Sequence, residues 1–519
     1  MIKSVYNYNL GLKFYEIVSI YGSETALRFP NSDEHTYLEL NELSNKICHF
    51  LLKQDIKKGD VVAIFNDKSV RAYSLMLACL KVGIIYTNLD TGSPWLRLKK
   101  ILQTCHPKIV FFDKPNSLLQ RQLINDFPSL VSKELQSENF DQSLKNLSVA
   151  NLIQTTEING NDPAYIMFTS GSTGFPKGAV MSHSNVLNFI QWGGGAFSIS
   201  AKDVFTNANP IYFDNSVFDF YVSLFHGATL VPLTHELIKD AQQIVKAINE
   251  SRCTIWFSVP SLLVYLLTTK VLSSTDFESI RLISFGGEGF PKNKLKQLYD
   301  LFSNRISLYN VYGPTECTCI CSSYLITDSD FEDMKELAPL GKLAPNFGYE
   351  LLPVENSNAN LKELALTGPC VGLGYFNDSE RTANAFVQNQ SNHYHAIMYR
   401  TGDLVELRDN GYFYFKGRID NQIKHMGYRI ELEEVEAAFS SLNYINEVSV
   451  VYERINTDFG QIRAFVSLAN EKMEQKAILE DIRKILPSYM VPRLVNILPA
   501  LPKNANGKID RKQLMQLHE

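Results

Sequence analysis

Tyr165-Ile166-Met167-Phe168-Thr169-Ser170-Gly171-Ser172-Thr173-Gly174-Phe175-Pro176-Lys177-Gly178 joins an apolar run to a loop of small, hydroxyl-bearing residues closed by a lysine. The apolar half predicts a buried strand, because short continuous apolar runs bounded by turn residues suit a sheet covered on both faces. The loop carries different chemistry. Its glycines let backbone N–H groups approach an anion, its Ser and Thr residues supply hydroxyl donors, and Lys177 adds a mobile positive charge. That combination suits the phosphates of a nucleotide. The Walker A spacing G-x-x-x-x-G-K-[ST] is absent. A flexible Gly/Ser linker would seldom follow directly on Tyr-Ile-Met-Phe and end in Pro-Lys-Gly.

Outward from this loop, strand-like runs alternate with amphipathic stretches. Val61–Phe65, Lys108–Phe112 and Thr254–Phe257 predict buried strands; 71–82, 183–192, 240–250, 260–269 and 291–303 predict helices. Such alternation predicts an α/β architecture with largely parallel sheets, whose ligands sit beyond the carboxyl ends of strands. The loops at 169–178 and 312–316 both follow apolar runs, where that rule puts a site. Near residue 411 the texture changes: Gly411–Phe415 reads as a strand, and Lys416–Gln422 as a polar connection. Beyond it, 433–439, 447–452, 464–468 and 476–486 carry helix and strand signals of their own, enough for a small α+β domain on a short hinge. The expected division is a large body, 1–419, and a small mobile domain, 420–519.

The 519 residues, 45% hydrophobic and 20% charged, supply a sizeable core. A net charge of -5 gives no reason to expect nucleic acid as a partner. Apolar stretches such as Leu75–Leu80 are too short to span a bilayer, and Met1–Asn7 lacks a signal-peptide core, so a cytoplasmic enzyme with no membrane partner is expected. Cys317-Thr318-Cys319-Ile320-Cys321 alternates with the period of a strand, and no second Cys/His pair at ligand spacing accompanies it. Buried strand residues are therefore expected there rather than zinc ligands. Trp192-Gly193-Gly194-Gly195 reads as a flexible loop near the pocket, His183 as a helix-start packing residue, and Asp219 as a local hydrogen-bonding group.

Further motifs follow in order along the chain. They are His35–Leu40, Leu80–Gly83 with Asp90, Pro94 and Arg97, and Phe213-Asp214-Asn215-Ser216-Val217-Phe218. Then come Asn310-Val311-Tyr312-Gly313-Pro314-Thr315-Glu316, Gly368–Asn377, in front of which Lys362 replaces the usual Gly before Glu363, and Tyr399-Arg400-Thr401-Gly402-Asp403-Leu404. Gly417–Asp420 with Gly427–Glu431, and Asn506–Arg511, close the series. As an ordered set they resemble the adenylate-forming (ANL) superfamily, specifically the amino-acid adenylation domains of nonribosomal peptide synthesis and their stand-alone relatives. The resemblance covers nearly the whole chain and implies the ANL fold, with ATP and Mg2+ as the reagents.

By that resemblance, Thr169, Ser170, Gly171, Ser172, Thr173, Gly174 and Lys177 cradle the β- and γ-phosphates. Thr315 contacts the α-phosphate, Glu316 helps hold Mg2+, Asp403 accepts hydrogen bonds from the ribose hydroxyls, and Arg418 reinforces that binding. Tyr312 packs on adenine, with Gly287, Glu288, Asn310 and Gly313 around it. Lys508 reaches the reacting phosphate and carboxylate from the small domain, Asp420 is the hinge, and Gln422–Gly427, including Lys424, faces the site for thiol transfer. The chemistry fits such an inventory. A carboxylate is already ionised at pH 7, so no base is needed, and catalysis reduces to positioning two anions and stabilising the charge that builds between them.

The resemblance also implies the substrate class. Asp214 pairs with the α-ammonium in amino-acid-activating members, and a buried carboxylate needs such a cation. The implied pocket is Asp214, Asn215, Phe218, Ser258, Ile283, Phe285, Val311, Cys319 and Ile320, with Lys508. Phe218 and Phe285 fill volume, which favours a small neutral amino acid. Phe285–Glu288 and Ser258–Ser261 are similar to D-alanine–carrier-protein ligases, although Gly286 stands where those have Cys. Alanine of either hand, serine, glycine and nonproteinogenic small amino acids all stay open. No carrier segment follows Lys508, so the expected acceptor is the phosphopantetheine thiol of a separate acyl or peptidyl carrier protein. Two alternatives stand beside this reading: an acyl-CoA or aryl-acid ligase, against which Asp214 counts, and a catalytically silent nucleotide-binding homologue, against which the intact motifs count.

Overall fold

The computed structural model describes residues 6–30, 33–171, 173–354, 361–391, 396–455, 460–469, 473–504 and 509–517. Two compact units divide the chain. One comprises Met1–Asp90, Cys105–Phe168 and Gly178–Ile419; the other comprises Thr91–Thr104, Thr169–Lys177 and Asp420–Glu519.

The first unit is built on two mostly parallel sheets of nine and seven strands. Val61–Phe65, Ile85–Leu89 and Leu282–Gly286 are buried at every position, which is how strands look when helices cover both faces. In the nine-stranded sheet Ser307–Tyr312, Leu282–Gly286, Ile255–Ser258, Val204–Asn207, Thr229–Pro232 and Thr25–Arg28 run parallel in that order. Helices start where local chemistry directs. Asp240 caps Ala241–Glu250, Pro260 opens Pro260–Thr268, and Thr36 and Glu39 form a reciprocal capping box on Tyr37–Lys53.

Alternation along the strands sorts the core into two bodies. Trp256, Ile283, Phe285 and Leu308 pack with Ile244, Leu263 and Leu295, from the helices covering one face of the nine-stranded sheet. Phe257 and Val311 join the larger cluster, which also holds Phe218, Cys319 and Ile320. This sorting decides which residues can line a pocket.

Three expectations need correction. Trp192–Gly195 is helical, inside His183–Ala196. A Cβ at Gly194 would lie 2.0 Å from His226 Nε2 and one at Gly193 3.0 Å from Val222 Cγ2, so these glycines permit close packing and do not make a loop. Cys317–Cys321 is not a strand: a short 3-10 turn, Thr315–Cys317, precedes Thr318 at φ +77°. The chain folds back there so tightly that a Cβ on Gly313 would meet the Cys319 carbonyl oxygen at 2.0 Å. All three cysteines are buried. Lys416–Arg418 is not a connection but the end of the strand Phe413–Arg418, within an antiparallel five-stranded sheet that the sequence pattern did not disclose. Acidic partners hold these basic residues in the ladder: Lys416 lies 2.8 Å from Glu336, and Arg418 is registered opposite Asp403.

The second unit is α+β. Gln422–His425 and Tyr428–Glu431 form a two-stranded hairpin; Ile445–Arg454, Gly460–Leu468 and Leu494–Ile497 form a three-stranded sheet. Helices Leu432–Ser440 and Gln475–Arg483 bury Val435, Phe439, Ile478 and Ile482 against it. Among the described residues, no helix is long and apolar enough to cross a membrane.

Candidate functional site

In the first unit, the antiparallel sheet delivers Asp403 and the nine-stranded sheet delivers Tyr312. The Tyr312 hydroxyl donates to Asp403 Oδ2 at 2.6 Å, and Arg418 Nη1 donates to Asp403 Oδ1 at 2.5 Å and to the Thr401 carbonyl at 3.1 Å. Asp403 is buried, a position an ionised carboxylate holds only with such partners. Burial, with the Asp403 charge beside it, holds the Tyr312 phenol well above its ordinary range, so Tyr312 is a fixed donor. Gly287 sits at φ +92°, a left-handed conformation open to glycine, and Glu288 Oε1 accepts the Ser261 N–H at 2.8 Å. Asn310 Nδ2 donates to the Pro339 carbonyl at 2.7 Å.

Asp214 lies just before a helical turn, Asn215–Val217, that widens to a π-helical stretch over Phe218–Val222. Thr315 Oγ1 donates to Asp214 Oδ2 at 2.6 Å, which joins the proposed ammonium acceptor to the turn that carries Glu316. Glu316 is fully buried, and its Oε1 accepts from the Tyr375 hydroxyl at 2.7 Å. Burial, with the Asp214 carboxylate the next largest influence, pushes the Cys319 thiol well up and keeps it protonated.

Asp219, within Phe218–Val222, anchors that stretch to neighbouring segments. Its Oδ2 accepts from Asn207 Nδ2 and Asn209 Nδ2, each at 3.0 Å, and Asn209 donates again to the Phe257 carbonyl. Lys68 approaches from another side, donating to the carbonyls of Asn207 and Leu233 at 2.6 and 2.8 Å. Burial raises the Asp219 carboxyl and lowers the Lys68 ammonium. His183 is buried; its Nδ1 accepts the Leu10 N–H at 3.1 Å, and burial brings it down to about 4. It is a packing residue in its neutral form.

The pocket residues divide. Phe218 packs edge-on against Phe257, Phe197 and Phe189, with ring centroids 5.4, 5.5 and 6.5 Å away. Val311, Cys319 and Ile320 share its cluster. Ser258, Ile283 and Phe285 do not join them: Ser258 accepts from Trp256 Nε1 at 2.7 Å, Ile283 packs in the second core, and Phe285 lies against Phe290 at 4.8 Å. Strand alternation puts Phe257, Ser284 and Gly286 on the Phe218 side instead. A Cβ on Gly286 would meet Val311 Cγ2 at 2.8 Å and the Val311 carbonyl oxygen at 2.4 Å. The structure therefore does not bring Ser258, Ile283 and Phe285 to the Phe218 side, because neighbouring positions on a strand face opposite ways.

In the second unit the phosphate-type loop is engaged by the chain's own groups. Ser170 Oγ donates to the Arg429 carbonyl at 2.8 Å and accepts the Glu431 N–H at 3.2 Å. The Gly171 N–H donates to Glu434 Oε2 at 3.1 Å, and Lys177 Nζ lies 3.8 Å from Glu431 Oε1. Glu434 also pairs with Arg97, both of them buried, and Lys100 Nζ donates to the Gly174 carbonyl at 3.0 Å. Thr169 Oγ1 is buried with no hydrogen-bond partner among the described residues. Ser172 and Lys508 lie outside the described residues. Sequence reasoning missed Glu431, Glu434 and Arg97 as partners of this loop. The only signal was their presence in charged motifs far away in the chain.

The AMP-binding enzyme family matches residues 14–376, and the AMP-binding enzyme C-terminal domain matches 434–508. An L-proline–[L-prolyl-carrier protein] ligase of Streptomyces coelicolor is 29% identical over 506 residues, spanning 94% of this chain and 92% of its own. A D-alanine–D-alanyl carrier protein ligase of Listeria monocytogenes is 30% identical over 491 residues, 92% of this chain and 93% of its own. Among solved structures, the Vibrio cholerae adenylation domain AlmE, in complex with glycyl-adenosine-5'-phosphate, aligns with a TM-score of 0.81 at 22% identity over 100% of this chain and 99% of that one. At that identity the likeness concerns the fold.

Proposed function

The chain belongs to the AMP-binding enzymes, and from that membership we propose that it is an ATP-dependent, AMP-forming amino acid–carrier protein ligase. In the first step the amino acid's carboxylate oxygen attacks the α-phosphorus of ATP, a P–O bond forms, and pyrophosphate leaves with the electron pair of the bond that breaks. In the second, a thiol attacks the acyl carbon of the aminoacyl-AMP, and AMP leaves with the bridging oxygen.

The observation that carries this reading is the 2.6 Å hydrogen bond from Thr315 to Asp214. If Asp214 meets the α-ammonium and Thr315 the α-phosphate, that single hydrogen bond separates the two groups, and a bound amino acid would present its carboxylate to the phosphorus. Asp403, held by Tyr312 and Arg418, would orient the ribose; Asn310, Gly313, Gly287 and Glu288 would line the base. Thr169, Ser170, Gly171, Ser172, Thr173, Gly174 and Lys177 would hold the β- and γ-phosphates. Asp214, Asn215, Phe218, Phe257, Ser284, Gly286, Val311, Cys319 and Ile320 would surround the amino acid, and Lys508 would bridge the two reacting anions. Four aromatic rings crowd the Phe218 side, which supports a small neutral side chain such as that of alanine.

Magnesium fits the Glu316 carboxylate by donor type: it prefers oxygen and enters such sites largely on substrate phosphates. Among the described residues no group of three or more His, Cys, Asp or Glu could hold a metal. Bound at Glu316, magnesium would neutralise phosphate charge. The acceptor we propose is the phosphopantetheine thiol of a carrier protein supplied in trans, as the names of the relatives suggest. Substrate-dependent ATP–pyrophosphate exchange across amino, aryl and fatty acids tests the reading: exchange with a small amino acid supports it, and exchange only with an acid lacking an amine replaces it with an acyl- or aryl-acid ligase.

A further inference from the structure

We infer that Glu431 and Glu434 are built-in stand-ins for the nucleotide's phosphates, competing with them for the loop Thr169–Lys177 and so setting how tightly ATP and pyrophosphate are held. The inference rests on the reading of that loop as a phosphate site, and it concerns two residues which that reading does not use.

The loop's donors are of the kind an anion needs, and two anions already engage them. The Gly171 N–H has one hydrogen, which it gives to Glu434 Oε2 at 3.1 Å. Lys177 Nζ faces Glu431 Oε1 at 3.8 Å, where Lys177 is 12% and Glu431 4% exposed. The Ser170 hydroxyl gives its proton to the Arg429 carbonyl and receives the Glu431 N–H. Thus an N–H, a hydroxyl and an ammonium, which together form a phosphate cradle, meet two carboxylates and a carbonyl from one short segment, Arg429–Glu434.

Charge balance explains why the arrangement is tolerated. Burial raises the Glu431 carboxyl, and Lys177 and Arg429 oppose that shift; Glu434 is neutralised by Arg97. A phosphate entering the loop would need the same single N–H and the same ammonium, and would stand beside two carboxylates of its own sign. The two occupants are therefore mutually exclusive. A nucleotide binds only the fraction of molecules whose loop has released the carboxylates, and its apparent affinity falls by that fraction. Once pyrophosphate departs, Glu431 and Glu434 return, so the loop's donors are not left unpaired while the thiol step proceeds.

The test uses the full chain with Glu431→Gln and, separately, Glu434→Gln. Dissociation constants for ATP, inorganic pyrophosphate and AMP are measured by calorimetry at one ionic strength. Glutamine preserves shape and an acceptor oxygen while removing the charge, and Glu431→Gln leaves the Arg97–Glu434 pair intact should Glu434→Gln fold poorly. Each folded variant should bind ATP and pyrophosphate about 3- to 10-fold more tightly than the wild type. AMP, which lacks the β- and γ-phosphates, should bind equally to both, and the KM for the amino acid should not move. A purely structural role would weaken all three ligands or none. Equal or weaker binding of ATP and pyrophosphate by folded Glu431→Gln overturns the inference alone. A wild-type protein that binds neither ATP nor pyrophosphate overturns the phosphate reading of the loop itself.

Discussion

Replacing Asp214 by Asn probes the amine recognition on which the substrate class depends. The substitution keeps the shape and leaves an oxygen to accept the Thr315 hydroxyl, now 2.6 Å from Asp214 Oδ2, so the turn into Phe218–Val222 should persist. What would disappear is the negative charge proposed to face the substrate's ammonium. Removing one member of a hydrogen-bonded charge pair typically costs about 2–5 kcal/mol; Asp214 is half-buried, which places it toward the lower end, at about 2–3 kcal/mol. At about 1.4 kcal/mol per decade, kcat/KM for the amino acid should fall about 30- to 150-fold. The control is the same acid without its amine, propionate for alanine, which has no ammonium to lose and should keep its low kcat/KM within about twofold. The assay is exchange under subsaturating acid with ATP saturating. An equal loss on both acids, or no loss on either, would refute the pairing of Asp214 with the amine.

Other expectations follow from buried groups. His183, brought down to about 4 from an ordinary 6.5, binds fewer protons folded than unfolded between those values, so stability is full above 6.5 and declines as pH falls toward 4. That decline, about 3 kcal/mol in all, should be largely absent in His183→Gln, compared with the wild type by urea midpoints at pH 7.5 and about 4.5. Asp219→Asn takes away the carboxylate that receives both Asn207 and Asn209; urea unfolding should show a loss of about 2–4 kcal/mol, and the KM for the amino acid should rise more than that for ATP. Gly286→Ala puts a Cβ 2.4 Å from the Val311 carbonyl oxygen, so a melting curve should show a destabilisation of about 1–3 kcal/mol.

Much of the architecture was legible from periodicity. Ala241–Glu250 buries Ala241, Ile244, Val245 and Ile248 along one stripe, and such a stripe announces a helix whatever surrounds it. The phase of a buried strand is another matter. Ile255-Trp256-Phe257-Ser258 and Leu282-Ile283-Ser284-Phe285 are apolar on both faces, so nothing local says which side looks toward Phe218. Ser258, Ile283 and Phe285, carried over by resemblance, accordingly face away from Phe218 in the structure. The glycines at 193–195 misled for a related reason: flexibility and close packing leave the same residue type, and only His226 and Val222 tell them apart. The engagement of Gly171 by Glu434 depends on a tertiary contact across 263 positions, beyond any local pattern.

The most direct test of the central chemistry follows an oxygen atom. The amino acid that supports exchange is supplied with both carboxylate oxygens labelled as 18O, together with ATP and Mg2+, and the nucleotide products are weighed by mass spectrometry. Attack of the carboxylate on the α-phosphorus predicts AMP carrying one heavy oxygen, with unlabelled pyrophosphate. AMP without label, or ADP and labelled phosphate in its place, would contradict the account.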